Sequence, residues 1–442
     1  MMTGHFEAAE ELSKILKSRR FDAVERWEKQ RKKILELNPL VNAYITVFDK
    51  PLCRKDFRKR LLRGLTVAVK DVFHVSGYPT TAGSKLFANR VSSHTAPVVE
   101  KLLEAGAAVN GKTNLHEFAF GVSNINPHFG ACKNPFDLAR VSGGSSGGSA
   151  VAVALGMCDI GLGTDTAGSV RIPASFCGVV GFKPSIGSLS TEGVIPLSWS
   201  LDHVGTLSRS VWETAVAYAV MTNKVKEISK ITPAKLERLK IGVPINYFLE
   251  YLSHDVREMF EQSLKKMEAK GAELVDIHVP DVEKAVRCRT VIGFAESSAY
   301  HLGVCKGNLA VYGEDVKQRI VAGLSITAVG YLTALRARKK LVAKFRQVFN
   351  QVDVLATPTT TITAHRIDEQ EIDVDGKIIN VRAATLRNTE PFNLYGVPSI
   401  SIPMGFSSKG LPTGLQLVAD FGEDFKLLGI AYGVEKLFKT SS

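Results

Sequence analysis

The sequence has little cysteine, little tryptophan and no long apolar run. Its six cysteines and three tryptophans are scattered over 442 residues. No CxxC pair lies beside a second pair or a histidine cluster, which argues against a zinc site and against a disulfide framework. The N-terminal stretch is charged and has no apolar core of the signal-peptide kind, and no uncharged segment is long enough to span a membrane. We therefore predict a cytoplasmic globular protein that does not bind a membrane.

Acidic residues are fewer than basic ones. The chain carries 56 lysines and arginines against 44 aspartates and glutamates, a net charge of +12. A nucleic-acid partner would explain such a surplus. However, the basic clusters lie within charge-mixed helical patterns and lack the interleaved aromatic residues that single-strand binders use. We therefore favour solvated helix faces as the origin of the charge.

Strand-like and helix-like segments alternate along the chain. Residues 65–70 (LTVAVK) have the apolar pattern of a buried strand, and residues 239–280 predict a strand–helix–strand unit. Residues 6–37 predict two amphipathic helices, the second closed by Pro39. This alternation is typical of an α/β sheet covered by helices. The charge-rich part, residues 224–285, is where we expect a surface subdomain.

Three short motifs suggest chemistry that their surroundings do not support. Residues 106–113 (GAAVNGKT) match a P-loop, but the predicted order is helix, glycine, strand, whereas a P-loop needs its glycines before a helix. Residues 143–147 (GGSSG) match a hydrolase nucleophile elbow, yet no strand is predicted before the serine. Residues 116–120 (HEFAF) lack the second histidine of a zinc protease motif. A P-loop nucleotide-binding protein is kept as the alternative of another class.

Three other places together favour serine chemistry. Lys70 ends an apolar strand, where burial would lower its pKa and make it a usable base. Residues 141–150 (VSGGSSGGSA) open directly into an apolar helix, so their glycines indicate close backbone approach better than a flexible linker. Ser169 follows the small residues of a TDTAG loop, where backbone N–H groups can converge on one point. A serine nucleophile needs a base, which a neutral lysine can supply through a second serine.

These three segments resemble the amidase signature family. The matching residues are AVKD (68–71), GGSSGGSA (143–150) and GTDTAGSVRIPASFCGVVGFKPS (163–185). Further landmarks, among them DVLATPT (353–359) and GVPSISIP (396–403), extend the resemblance over nearly the whole chain. It implies one large α/β domain in which a central mixed, twisted β-sheet lies between α-helices.

The resemblance implies a Ser–cis-Ser–Lys triad. Ser169 is then the nucleophile, Ser145 the bridging serine after a cis bond from Gly144, and Lys70 the terminal base. The oxyanion hole is expected at the backbone N–H groups of four consecutive residues, Thr166, Ala167, Gly168 and Ser169. A substrate pocket is expected around Phe73, Phe118, Phe120, Gly144, Arg382 and Arg387. Neither a metal nor an organic cofactor is implied.

The resemblance also sets the expected organisation and activity. Residues 1–60 are predicted to form a helical segment packed on a domain of residues 61–442. Within that domain, 65–210 is the signature core and 290–442 holds the substrate pocket and the C-terminal part. The expected activity is hydrolysis of a small linear carboxamide, by a chain that can form a homodimer. The alternative is the glutaminase chain of a tRNA-dependent amidotransferase, the one setting in which a nucleic acid is expected.

Overall fold

A mixed β-sheet runs through the whole molecule. The computed structural model describes residues 22–440, and within them eleven strands pair in the order β1-β3-β2-β4-β6-β5-β12-β13-β9-β7-β8, while β10 and β11 form a separate hairpin. The strand bounds are β1 Tyr44–Cys53, β2 Thr66–Lys70, β3 Ala108–Thr113, β4 Ile160–Asp165, β5 Val180–Lys183, β6 His203–Ser208, β7 Lys240–Pro244, β8 Glu273–Ile277, β9 Val354–Pro358, β10 Glu371–Val374, β11 Lys377–Asn380, β12 Ser399–Phe406 and β13 Pro412–Val418.

Helices cover the sheet. The α-helices of the described residues are α1 Ala23–Val41, α2 Pro97–Glu104, α3 Gly147–Ala154, α4 Arg171–Cys177, α5 Val211–Met221, α6 His254–Glu268, α7 Val282–Cys305, α8 Glu314–Leu324, α9 Ala328–Arg346, α10 Val381–Leu386, α11 Glu390–Tyr395 and α12 Asp424–Thr440. Short 3₁₀ turns occur between them, at Phe57–Lys59, Lys85–Phe87, Glu117–Ala119, Val225–Lys230, Leu309–Val311 and Gln347–Asn350. The predicted α/β architecture, a mixed sheet between helices, is confirmed.

The sheet has parallel strands in two places. β2 runs parallel to both β3 and β4, and β7 runs parallel to both β8 and β9, whereas the strands between these two groups pair in antiparallel fashion. Every residue of β2, β3 and β4 is buried. Strands buried on both faces need continuous apolar stretches, which is why LTVAVK and its neighbours lack a polar alternation. Because β2 and β4 are parallel neighbours, their carboxyl ends, Lys70 and Asp165, lie at the same edge.

Helix α3 brings the glycine- and serine-rich loop to that edge. All eight of its residues are buried, and they are small or β-branched. A Cβ at Gly148 would lie 2.3 Å from the Ala43 carbonyl oxygen and 2.6 Å from the Asn114 nitrogen. Glycine is therefore required at this position by close backbone approach, as the sequence indicated.

Two predictions about local structure differ from the structure. Helix α1 does not stop before Pro39 but continues through it to Val41, because a proline in the last turn removes only its own N–H···O bond. The residues after α1 form strand β1, which pairs with β3 at the edge of the sheet, so the N-terminal segment is not wholly helical. The first predicted helix lies mostly outside the described residues.

The charge-rich part of the chain is built into the main sheet. Strands β7 and β8, with α6 between them, extend the sheet beyond β9. The strand–helix–strand prediction for residues 239–280 is therefore confirmed. The expected surface subdomain at 224–285 contributes the outermost strands of the common sheet.

Membrane-spanning potential is limited to one helix pair. Among residues 22–440 no individual helix has the length and apolar content that crossing a bilayer demands, and only the bent pair Glu314–Leu324 and Ala328–Asn350, 91° apart, reaches that level jointly, on length and composition alone.

Candidate active site

Three segments meet at the carboxyl edge of β2 and β4. Lys70 is the last residue of β2, the loop before α3 supplies Ser145 and Ser146, and β4 supplies Thr164. The loop after β4 then carries Ser169 to the start of α4. Carboxyl ends of neighbouring parallel strands are a frequent place for ligand sites in α/β folds.

The amino group of Lys70 is buried among three hydroxyls. Its Nζ lies 2.8 Å from Ser145 Oγ, 2.9 Å from Ser146 Oγ and 2.8 Å from Thr164 Oγ1. The side chain has no exposed surface, and no carboxylate forms an ion pair with it within the described residues. Such an environment solvates an amine but compensates an ammonium poorly.

Burial lowers the pKa of Lys70 to about 7, although the nearby charges of Asp202 and Asp165 act to raise it. A neutral amine has two N–H donors and one lone pair. Ser146 Oγ already donates to the Thr164 carbonyl oxygen, so it can accept an N–H from Lys70. With Thr164 Oγ1 accepting the second N–H, the lone pair is left for the hydroxyl proton of Ser145.

Ser169 lies next to this cluster. Its carbonyl oxygen accepts the N–H of Ser146 at 3.1 Å, and the residue is 6 % exposed, whereas Lys70 and Ser145 are fully buried. No hydroxyl–hydroxyl bond joins Ser145 and Ser169 within the described residues; such catalytic contacts are often long before substrate binds. The Gly144–Ser145 peptide bond is cis, as the family resemblance implies.

The loop before Ser169 presents free backbone donors. The N–H groups of Thr166, Ala167 and Ser169 have no acceptor within residues 22–440. The N–H of Gly168, the fourth predicted donor, instead donates to Asp165 Oδ1 at 2.8 Å. In this structure it is therefore not free for an oxyanion, and three of the four predicted donors are.

A buried ion pair holds this loop. Arg171 donates to both carboxylate oxygens of Asp165 at 2.9 and 3.0 Å, and also to Asn393 and Gln416. Burial acts to raise the pKa of Asp165, but the charge and hydrogen bonds of Arg171 outweigh it and hold that pKa below its usual value. The donor loop is thus tied to β13 and α11 by side chains that have no access to water.

Two contacts at this loop could not be seen in the sequence. Thr166 Oγ1 donates to Asp202 at 2.6 Å, and burial raises the pKa of that carboxyl to about 6. Thr389 Oγ1 donates to the Ala167 carbonyl oxygen at 2.7 Å. Asp202 stands in the motif SLDHVG, which marks it as noteworthy but does not say what it touches.

The predicted aromatic pocket residues lie in the core. Phe73, Phe118 and Phe120 all belong to the main buried apolar cluster. Phe118 has ring contacts with His301 and Tyr312, and the carbonyl oxygen of Phe120 accepts a hydrogen bond from Arg319. A direct role in substrate binding for these three side chains stays a prediction.

The two predicted arginines face different cavities. Arg382 lines a cavity of about 530 Å³ together with Val122 and Ser123, whose backbone lies against Gly144. Arg387 lines another cavity, donates to Glu250, and stacks on Tyr247 with its guanidinium carbon 3.9 Å from the ring centre. The geometry therefore favours Arg382 over Arg387 as a residue near the triad.

Other chemistry finds little support at the remaining motifs. The P-loop match forms strand β3 between β1 and β2, where Lys112 pairs with Asp71 at 2.6 Å. No group of three or more histidines, cysteines, aspartates or glutamates in the described part of the chain is arranged to hold a metal ion. All six cysteines are free thiols.

Comparison with known proteins agrees with this geometry. The model of the Amidase family matches residues 28–428. The glutaminase chain (GatA) of the glutamyl-tRNA(Gln) amidotransferase of Methanosarcina mazei is 37% identical over 434 residues, 90% of each chain. A crystal structure of an amidase superimposes with a TM-score of 0.88 at 33% identity, covering 97% of this chain and 99% of that one. The corresponding GatA chain from Thermotoga maritima gives 0.84 at 34% identity, covering 96% and 94%.

The buried pair predicts a large stability effect. Arg171→Met leaves the carboxylate of Asp165 buried without its partner, and we expect the free energy of unfolding to fall by about 3–5 kcal/mol. The matched control is Arg346→Met, which removes an exposed pair with Asp420 and should cost about 1 kcal/mol or less. Urea unfolding followed by circular dichroism measures both. Equal losses in the two variants would contradict the role given to the buried pair.

Proposed function

Because the chain belongs to the amidase family, we propose that it hydrolyses linear carboxamides through an acyl-enzyme on Ser169. The observation that carries the proposal is the buried amine of Lys70, hydrogen-bonded to Ser145 and without a carboxylate partner in the described residues. A lysine kept neutral near pH 7 is a competent base.

The first step is a proton relay. Lys70 takes the hydroxyl proton of Ser145, and Ser145 takes that of Ser169 as Ser169 Oγ attacks the amide carbon. The carbonyl π bond opens, and its electron pair goes to the oxygen. The free N–H groups of Thr166, Ala167 and Ser169 are placed to receive that oxyanion, and donors fixed before the reaction stabilise it without reorganisation.

The second half reverses the relay. The tetrahedral intermediate collapses, the C–N bond breaks, and the departing nitrogen takes the proton that Lys70 returns through Ser145. The product amine or ammonia leaves, and Ser169 remains acylated. A water molecule then attacks the ester carbon, gives its proton to the same relay, and releases the carboxylic acid.

A second candidate is the GatA chain of a glutamyl-tRNA(Gln) amidotransferase. The observation that favours it is the identity of 37% to such a chain over nearly the full length. In that case glutamine supplies the amide, and the ammonia goes to a partner protein that holds a tRNA. The segment STEGVIPLSWSLDHVG (190–205) instead resembles free-standing amidases.

Replacement of triad residues tests the mechanism. We expect Ser169→Ala and Lys70→Ala to lower kcat/KM for a simple amide by roughly 10³-fold or more, because each removes a group that the relay needs. The exposed control variants Ser325→Ala and Lys339→Ala should keep the parent rate. Ammonia release from a panel of aliphatic, aromatic and ureido amides and glutamine measures the rates.

The same panel separates the two candidates. A free-standing amidase hydrolyses simple amides as the purified chain alone. A chain that acts only on glutamine, and only in the presence of tRNA and a partner protein, would favour the amidotransferase. Parent-like rates in Ser169→Ala and Lys70→Ala would contradict both.

The pH dependence should report Lys70. Protonated Lys70 cannot accept a proton, so kcat/KM should rise with pH along a limb with an apparent pKa of about 7 and then level off. Asp202→Asn removes a negative charge that raises the pKa of Lys70, so the limb should move to lower pH. If the limb instead disappears in that variant, it belongs to the carboxyl of Asp202. Rates measured from pH 5 to 9 decide this, and a flat parent profile would contradict a lysine base.

A further inference from the structure

A cavity of about 530 Å³ borders the catalytic loop. Val122, Ser123 and Arg382 line it, among others. A Cβ at Gly144 would lie 3.1 Å from the Val122 carbonyl carbon and 3.2 Å from the Ser123 nitrogen, so the cavity wall touches the residue before Ser145. Val122 also packs in one apolar cluster with Ala167 of the donor loop. A group bound in this cavity is therefore within reach of an amide held at Ser169.

The guanidinium of Arg382 has no partner in this cavity. Its side chain makes no hydrogen bond or ion pair within the described residues, and its Nη1 atom is buried without an acceptor. Burial, with the charges of Arg319 and Arg289, lowers the pKa of Arg382 to about 9, so it is still a cation at neutral pH. A buried cation without an acceptor is costly and is rare unless a ligand supplies the acceptor.

The neighbouring charges leave a single positive charge unbalanced. Arg319 donates to Asp315 at 2.7 Å, and Arg289 lies 3.2 Å from Glu390. Three arginines thus face two carboxylates, and the two pairs leave Arg382 over. An excess of one positive charge fits a monoanion, and a planar carboxylate matches the fork of a guanidinium.

We propose that Arg382 binds a carboxylate on the acyl part of the substrate, so that the preferred substrates are monoamides of dicarboxylic acids. This rests on the proposed amide hydrolysis at the same site. With a primary amide the leaving group is ammonia, so a carboxylate can be carried only by the acyl part. The product is then a dicarboxylate, which the same arginine holds until release.

Paired substrates test the assignment. Glutaramate and pentanamide have the same number of carbons and differ in that the first bears a carboxylate at the far end. We expect the parent to prefer glutaramate by at least about tenfold in kcat/KM, and Arg382→Met to lose that preference. Arg336→Met, an exposed arginine that lines a different cavity, is the matched control and should keep it. An unchanged preference in Arg382→Met overturns the proposal.

Product binding gives a readout without turnover. Calorimetry with glutarate should show binding to the parent and a Kd at least about tenfold weaker in Arg382→Met, with Arg382→Gln as a second variant in case the first fails to fold. Equal glutarate affinity in parent and variant overturns the assignment even if no amide is hydrolysed. Hydrolysis of both amides without any preference for glutaramate overturns it too, while leaving the proposed function intact.

Discussion

The burial of one lysine amine among hydroxyls is the constraint around which this site is built. Strand β2 carries Lys70 into the interior, where Ser145, Ser146 and Thr164 are its hydrogen-bond partners. Three chain segments must converge to supply those oxygens. The small residues of α3 and of the loop before it allow that convergence, since a side chain at Gly148 would collide with the backbone.

A second buried arrangement keeps the donor loop in place. The pair of Asp165 and Arg171 connects the end of β4 to side chains from β13 and α11, and Asp165 also accepts the N–H of Gly168. That contact fixes the turn and leaves the neighbouring N–H groups free. The two buried clusters thus have different tasks: the lysine handles protons, and the ion pair holds the backbone that receives negative charge.

The sequence was informative where chemistry demands particular residue types in short motifs. Lys70 and the serines of the 141–150 loop could be assigned to one site because each stands in such a motif, and the structure joins Lys70 to Ser145 directly. The contact of Thr166 with Asp202 depends on how separate turns approach, which no local pattern encodes. Likewise, Arg382 and Arg387 were equivalent in sequence and separate only because they face different cavities.

The most direct test of this account is the position of covalent modification. The protein is treated with phenylmethanesulfonyl fluoride and digested with trypsin, which cuts after Arg140 and Arg171 and so leaves Ser145 and Ser169 on one peptide. Fragmentation in the mass spectrometer then separates the two. The account predicts one adduct, on Ser169, formed in the parent and lost in Lys70→Ala. An adduct on Ser145 instead, or an equally fast adduct on Ser169 without Lys70, would contradict it.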